Sequence, residues 1–345
     1  MVNNTTEEYR RARELVLQFG WNTISYQILN PGILWWFSST HRSVIGYVET
    51  STHLIAAGAP NCADEDLEFS VLEFTAYAAA KKKKVCYFSA QERIAAILSK
   101  HLPASTVLLG AQPVWHPQQW IDNVYAKPSL RAQLSRALNK GVTVELWEST
   151  KAVNHPQLVQ SLHEWLAARH LPPMHFLVEP FTLERLEDRI VAVAVFENQA
   201  AGFCIASPIP LRNGWLIEQI VRGRRAPNGT AELLLEKLIV HLNTLSASLV
   251  TLGLSPLSEH YHSTIHHPLW LKTVLRAAKA YGKYFYNFNG LDSFKAKFFP
   301  QMWEPVYAIT NEATPTPATL YAIATAFSGM SPFRFVMKGI RKMLF

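Results

Sequence analysis

The residues best placed to do chemistry lie between Gly214 and Tyr307. Glu218 stands inside an otherwise apolar run, Trp215-Leu-Ile-Glu218-Gln-Ile, which ends in a basic turn holding Arg222, Arg224 and Arg225. Pro227-Asn228-Gly229-Thr230 follows and reads as the opening of a helix. The first N–H groups of a helix have no partner inside it, and the helix dipole favours negative charge there, so this place suits an anion. Gly229 would let backbone approach that anion closely, and the arginine forks could hold phosphate oxygens. An ordinary N-cap followed by a solvated turn is the plainer alternative. An unpaired carboxylate in an apolar strand is costly, and burial favours its protonated form, which makes Glu218 a candidate general base.

Lys295 and Lys297 alternate across what reads as an extended or turn segment beside Phe294 and Phe298. That pattern fits an RNA backbone with a stacking surface, and equally a polar edge strand. Glu304, between Trp303 and Pro305, is a second carboxylate that can act as a base or as a salt-bridge partner. His260, His262, His266 and His267 crowd one loop, with no acidic or cysteine companion at ligand spacing, so no metal site is expected. His163 and His175 read as core or rim residues.

These groups must be held by a chain of 345 residues, long enough for two domains of ordinary size. Apolar residues make up 49% and charged residues 17%, which can supply two cores. A formal charge of +7 points to an anionic partner: nucleic acid, a membrane surface or a phosphorylated substrate. Cys62, Cys86 and Cys204 lie far apart in apolar runs, as reduced core residues of a cytoplasmic protein do. The polar first twenty residues do not read as a secretory signal, and no run reaches the roughly 18 apolar residues that span a bilayer.

Residues 7–19 read as a helix, followed by three short β-rich runs at 33–37, 43–49 and 53–57, as in an antiparallel meander. Asp64-Glu65-Asp66 opens a long helix that closes on Lys81 to Lys84, acids at its positive end and bases at its negative end. A strand at 85–88, a helix at 91–100, a strand at 106–109, a Pro/Trp-rich link and a basic helix at 127–140 complete the first half. The second half repeats the plan, with a helix at 156–169, strands at 190–196, 201–206 and 214–221, a helix at 230–247, a strand at 248–253, a helix at 269–281 and a last strand at 283–288. The repeated order predicts two copies of one mixed α/β unit, with boundaries at 1–140, 141–310 and a 311–345 linker and tail. In that tail Phe333, Val336, Met337, Ile340 and Leu344 share one side of a helix and Arg334, Lys338, Arg341 and Lys342 the rest. Such a helix either lies on an anionic membrane or docks on the protein's own core.

Five segments, in order, resemble the C-terminal catalytic domain of phosphatidylglycerol lysyltransferases, the multiple peptide resistance factor family. They are Ala226-Pro-Asn-Gly-Thr230, Leu252-Gly-Leu-Ser-Pro-Leu257, Tyr286-Asn-Phe-Asn-Gly-Leu291, Phe294-Lys-Ala-Lys-Phe298 and Trp303-Glu-Pro-Val-Tyr307. Weaker matches at Gly46-Tyr47, Leu130-Arg131 and Gly141 extend the likeness over about residues 10–310. The resemblance implies an α/β fold of two tandem GNAT-like acyltransferase domains. It also implies transfer of an amino acid from aminoacyl-tRNA to a lipid hydroxyl such as that of phosphatidylglycerol, without cofactor or metal. It brings in Ser255 as a substrate contact and places a carboxylate at Glu218 or at its neighbour Gln219. The family's membrane-embedded flippase half has no counterpart in these residues, so a peripheral place on the inner membrane face is expected. An acyl-CoA-dependent N-acyltransferase and a non-catalytic RNA- or membrane-binding module are the rival functions. The first lacks a clear Gln/Arg-x-x-Gly-x-Gly/Ala loop.

Overall fold

The computed structural model describes residues 6–344 apart from 170, 262–264, 266 and 283–287. In the first half, helix α1 (Thr6–Phe19) leads into strands β1 (Leu34–Phe37), β2 (Val44–Glu49) and β3 (His53–Ala57). Helix α2 (Asp64–Ala80), strand β4 (Lys84–Ala90), helix α3 (Glu92–His101), strand β5 (Ser105–Trp115) and helices α4 (Pro117–Tyr125) and α5 (Pro128–Leu138) follow. The second half holds β6 (Thr143–Trp147), α6 (Ser149–Ala152), α7 (Pro156–Ala167), β7 (Ile190–Phe196), β8 (Gln199–Ile209) and β9 (Gly214–Arg222). Then come α8 (Thr230–Thr244), β10 (Leu249–Thr251), β11 (Ser255–Pro256), α9 (Leu269–Gly282), α10 (Phe288–Ala296), β12 (Met302–Thr310), α11 (Pro317–Ser328) and α12 (Pro332–Leu344).

Among the described residues all strands join one mixed sheet in the order β1-β2-β3-β4-β12-β5-β10-β9-β8-β7-β6, with β11 also on β5. Each half contributes one parallel pair with a helix across it: β3 beside β4 spanned by α2, and β9 beside β10 spanned by α8. The neighbour of each pair comes from the other half. β12 lies antiparallel against β4, and β5 antiparallel against β10, while β5 and β12 pair along Ser105–Val114 and Met302–Thr310. The sheet therefore runs unbroken through the join at 140/141.

β12 reads poorly as a strand in sequence because Pro305 cannot donate to a ladder. Its pairing with β4 begins at Tyr307, so Pro305 lies where β5 is its neighbour. The expected strand at 283–288 lies outside the described residues except for Phe288, which begins α10. Gly110, at φ +145°, lets β11 lie on β5: a Cβ there would meet the Ser255 carbonyl at 2.2 Å.

One face of the sheet carries an apolar cluster that crosses both halves, from Ile55 and Cys86 through Val107 and Ala308 to Leu216 and Leu249, covered by α1, α9 and α11. The opposite face splits in two. Helices α2 and α3 cover Leu54, Val85 and Tyr307, and α4, α5 and α8 cover Trp115, Cys204, Ile217 and Val250. Fully burying side chains of this size contributes roughly 1.5–3 kcal/mol each. All three cysteines are buried and unbridged, and among the described residues no helix is long and apolar enough to cross a membrane.

Candidate functional site: the opening between β9 and β10

β9 and β10 run parallel from Gly214 beside Leu249 to Leu216 beside Thr251, and there they part. β9 continues along β8 to Arg222, whereas the chain after Thr251 steps across to place Ser255 beside Ala111 of β5. The sheet opens into a V at this point. Thr251 Oγ1 accepts from the Gly253 N–H at 3.0 Å and turns the chain. The carbonyls of Gly253 and Leu254, which leave the ladder here, each accept from Lys295 Nζ at 2.8 Å.

Lys295 is thus a pin for the opening and not part of an RNA-facing strand. Leu291, Phe294 and Phe298 recur at helical spacing, and α10 presents that stripe to the core while turning Lys295 inward. Burial pushes the Lys295 ammonium down to about 7, against the pull of Asp292. Lys297 lies just past the helix, 2.6 Å from Glu232 and over the Phe294 ring at 4.2 Å.

At Asn228-Gly229-Thr230, where the sequence predicts an anion cradle, Gly229 packs closely against α5. Gly229 is left-handed at φ +96°, and a Cβ on it would lie 2.2 Å from the Gln133 carbonyl and 3.3 Å from Ala137 of α5. The close backbone approach that glycine permits is therefore made to α5. Glu232 supplies negative charge in the first turn of α8, and Thr230 Oγ1 donates to the Pro227 carbonyl at 2.7 Å. The turn before the helix stays exposed. There Arg222 reaches Asn228 at 3.3 Å, the Arg224 N–H donates to Glu164 at 2.8 Å, and Arg225 pairs with Glu197 at 2.9 Å.

Glu218 is not an unpaired carboxylate. Arg189 Nε donates to it at 2.6 Å, and the same buried guanidinium donates to the Arg185 carbonyl and to Asn30 Oδ1, each at 2.6 Å. A bulge against β8 at Ile205/Ala206 lets both Glu218 and Gln219 reach the 179–189 segment, Gln219 Nε2 donating to the carbonyls of Glu179 at 2.8 Å and Pro180 at 3.0 Å. Removing one partner of such a buried pair costs about 3–5 kcal/mol, because the other charge is left uncompensated. Glu304 is held the same way, by the Arg212 fork at 2.5 and 3.0 Å and by Gln112 at 2.8 Å. Burial alone would raise the Glu304 pKa, but Arg212 and Gln112 hold it below the usual carboxylate value.

Across the β5–β12 floor from Glu304, His260 Nε2 lies 3.1 Å from Asp292 of α10 and its ring stacks on Trp303 at 4.1 Å. Ser255 is fully buried, and its Oγ has no partner among the described residues. His262 and His266 lie outside the described residues. His163 is exposed, and His175 lies 2.8 Å from Glu179, whose carboxylate raises its pKa. Sequence reasoning missed Arg189, Arg212 and Asp292. Each is an ordinary turn or helix residue whose partner lies far along the chain.

The tail is helical as expected and docks by a narrow back. Phe335 and Gly339 face inward, and Lys342 Nζ caps the carbonyl end of α7 at Leu166 (3.3 Å) and Arg169 (2.6 Å). Phe333, Val336, Met337 and Ile340 remain outward, Phe333 at 72% exposure.

The model of the family described as phosphatidylglycerol lysyltransferase, C-terminal, matches residues 13–310. The chain belongs to that family. Among solved structures it is similar to the C-terminal domain of a putative lysylphosphatidylglycerol synthetase from Agrobacterium fabrum, at 21% identity and TM-score 0.79 over 94% of this chain and 97% of that one. L-PGS from Bacillus licheniformis follows at 20% identity and TM-score 0.77, covering 92% and 95%. FemX shares the fold at 8% identity and TM-score 0.54, over 94% and 98%. A search of curated proteins gave no match. The fold shared with these structures is the mixed α/β architecture described above, the fold class expected from sequence.

The Lys295 pin carries a pH signature. Its folded pKa of about 7 lies below the ordinary 10.5, so between those values the unfolded chain holds a proton that the folded chain lacks. Stability should then rise with pH in that window, by up to about 1.4 kcal/mol per unit for one proton, and stay flat with respect to this group below it. Urea denaturation of wild type and Lys295→Met across the window should show the rise in wild type alone. Parallel curves would contradict the assignment.

Proposed function

We propose that the chain is an aminoacyltransferase that moves an amino acid from aminoacyl-tRNA onto the hydroxyl of a membrane lipid such as phosphatidylglycerol. The observation that carries this is the family match across both halves of the sheet, residues 13–310. The chain lacks a clear Gln/Arg-x-x-Gly-x-Gly/Ala loop, which favours tRNA over acyl-CoA as donor. The exposed Arg222, Arg224 and Arg225, at the end of β9 and in the turn before α8, suit the phosphates of an acceptor stem.

Ser255, the substrate contact that the resemblance implies, has a buried hydroxyl without a partner among the described residues, and it could donate to the ester oxygen only once β11 is uncovered. Glu218 and Glu304 act here as partners that fix Arg189 and Arg212, because both carboxylates are already taken up by a guanidinium. The acceptor would come from the inner face of the membrane, on which α12 is proposed to lie. Its outward Phe333, Val336, Met337 and Ile340 would enter the interface while Arg334, Lys338 and Arg341 meet anionic headgroups, at about 1 kcal/mol per basic residue.

Incubating the full chain with labelled aminoacyl-tRNAs and phosphatidylglycerol micelles should move label into the organic phase, and RNase treatment of the donor should abolish the transfer. Consumption of acetyl-CoA in the absence of any tRNA-dependent product would instead favour the acyl-CoA enzyme. Replacing Phe333, Met337 and Ile340 together by serine leaves Phe335 and Lys342 to dock the helix. Flotation with anionic vesicles should then weaken more than tenfold, given roughly 1.5–3 kcal/mol for each fully buried side chain. Undiminished flotation would remove α12 from the membrane contact.

A further inference from the structure

The proposed transfer needs a group to take the acceptor proton, and the two carboxylates expected from sequence are committed to arginines. We propose that His260, oriented by Asp292, is the general base of the transfer, a role that rests on the aminoacyltransferase assignment above. The geometry is that of a base held by a second residue. Asp292 Oδ2 lies 3.1 Å from His260 Nε2, and a ring proton held on Nε2 by that carboxylate would leave the lone pair of Nδ1 for the acceptor. Trp303 fixes the ring plane by stacking at 4.1 Å and 17°.

One support stands on the helix that pins the V and the other on β12, two strands from β10. Asp292 stands one helical turn before Lys295, which pins the Gly253 and Leu254 carbonyls, and Trp303 lies on β12 beside Glu304. The imidazole is 39% exposed, so an acceptor can reach its edge. The charged or titratable groups on the side of the ring are Asp292 and Lys295 on α10, with Glu259 and Tyr261 beside it in the chain, while Glu304 points to the other face of β12. Tyr307 and Glu92, joined at 2.9 Å, lie beyond Tyr261.

In the step itself, Nδ1 takes the proton of the lipid hydroxyl as its oxygen bonds to the ester carbon. The bond from that carbon to the ribose oxygen then breaks, and the imidazolium returns the proton to the ribose oxygen. One ester is consumed, one is formed, and no oxidant or cofactor enters.

Full-length His260→Gln should lose roughly 10²–10⁴ in kcat, with KM for the lipid little changed, as removal of a positioned base predicts. The acid limb of the wild-type kcat profile should vanish with it. Asp292→Asn should lower kcat less, and added imidazole should restore part of the activity of His260→Ala. His260→Gln with wild-type kcat, or with reduced kcat on an unshifted acid limb, overturns the proposal. Failure of imidazole to restore any activity to a folded His260→Ala also overturns it, by assigning the ring a packing role against Trp303. Absence of transfer by wild type would instead defeat the aminoacyltransferase reading, leaving the two failures distinguishable.

Discussion

The exchange of β5 and β12 between the two halves is the constraint on which the rest of the molecule depends. Each half ends its parallel pair with an edge that its own chain does not cover, and the partner half supplies the covering strand. An open edge is a liability in water and invites pairing with other chains. Here both edges are closed internally by two strands that also pair with each other. The chemistry sits on these same strands: Gln112 and Ala111 on β5, Trp303 and Glu304 on β12, Ser255 on β11 against β5.

Closing the middle of the sheet leaves polar groups in a dry place, and the structure compensates them in pairs. Arg189 with Glu218 and Arg212 with Glu304 lie toward the face covered by α1, where Tyr26 and Thr23 add further hydrogen bonds. Lys295 has carbonyls as its partners instead of a carboxylate, so burial lowers its pKa, whereas the carboxylate of Glu218 keeps that of the equally buried Arg189 raised. The result is a preorganised opening in which the splay of β9 and β10 is held by side chains from elements remote in sequence.

Much of this was legible in the sequence, because the elements with clean periodicity carry their own signals. The long α2 with its acidic start and lysine end, the apolar β7 to β9 run and α8 follow from pattern alone. β12 was hidden by Pro305 and Glu304, and α10 by Asn289 and Gly290, residues poor for their element that tertiary contacts override. The candidate site was legible in position and less so in role. Gly229 does mark a close backbone approach, but the approaching backbone is α5, which no local signal announces. Glu218 does stand in an apolar strand, but its partner Arg189 is set by the fold of a distant turn.

The central claim, that strand exchange welds the halves into one cooperative sheet, is tested most directly by native-state amide hydrogen exchange read by mass spectrometry. Peptides from β4, β12, β5 and β10 should exchange last, together, and at the rate of global unfolding. Exchange of β1 to β4 as one unit, separately from β6 to β10 and with β5 and β12 released early, would contradict it.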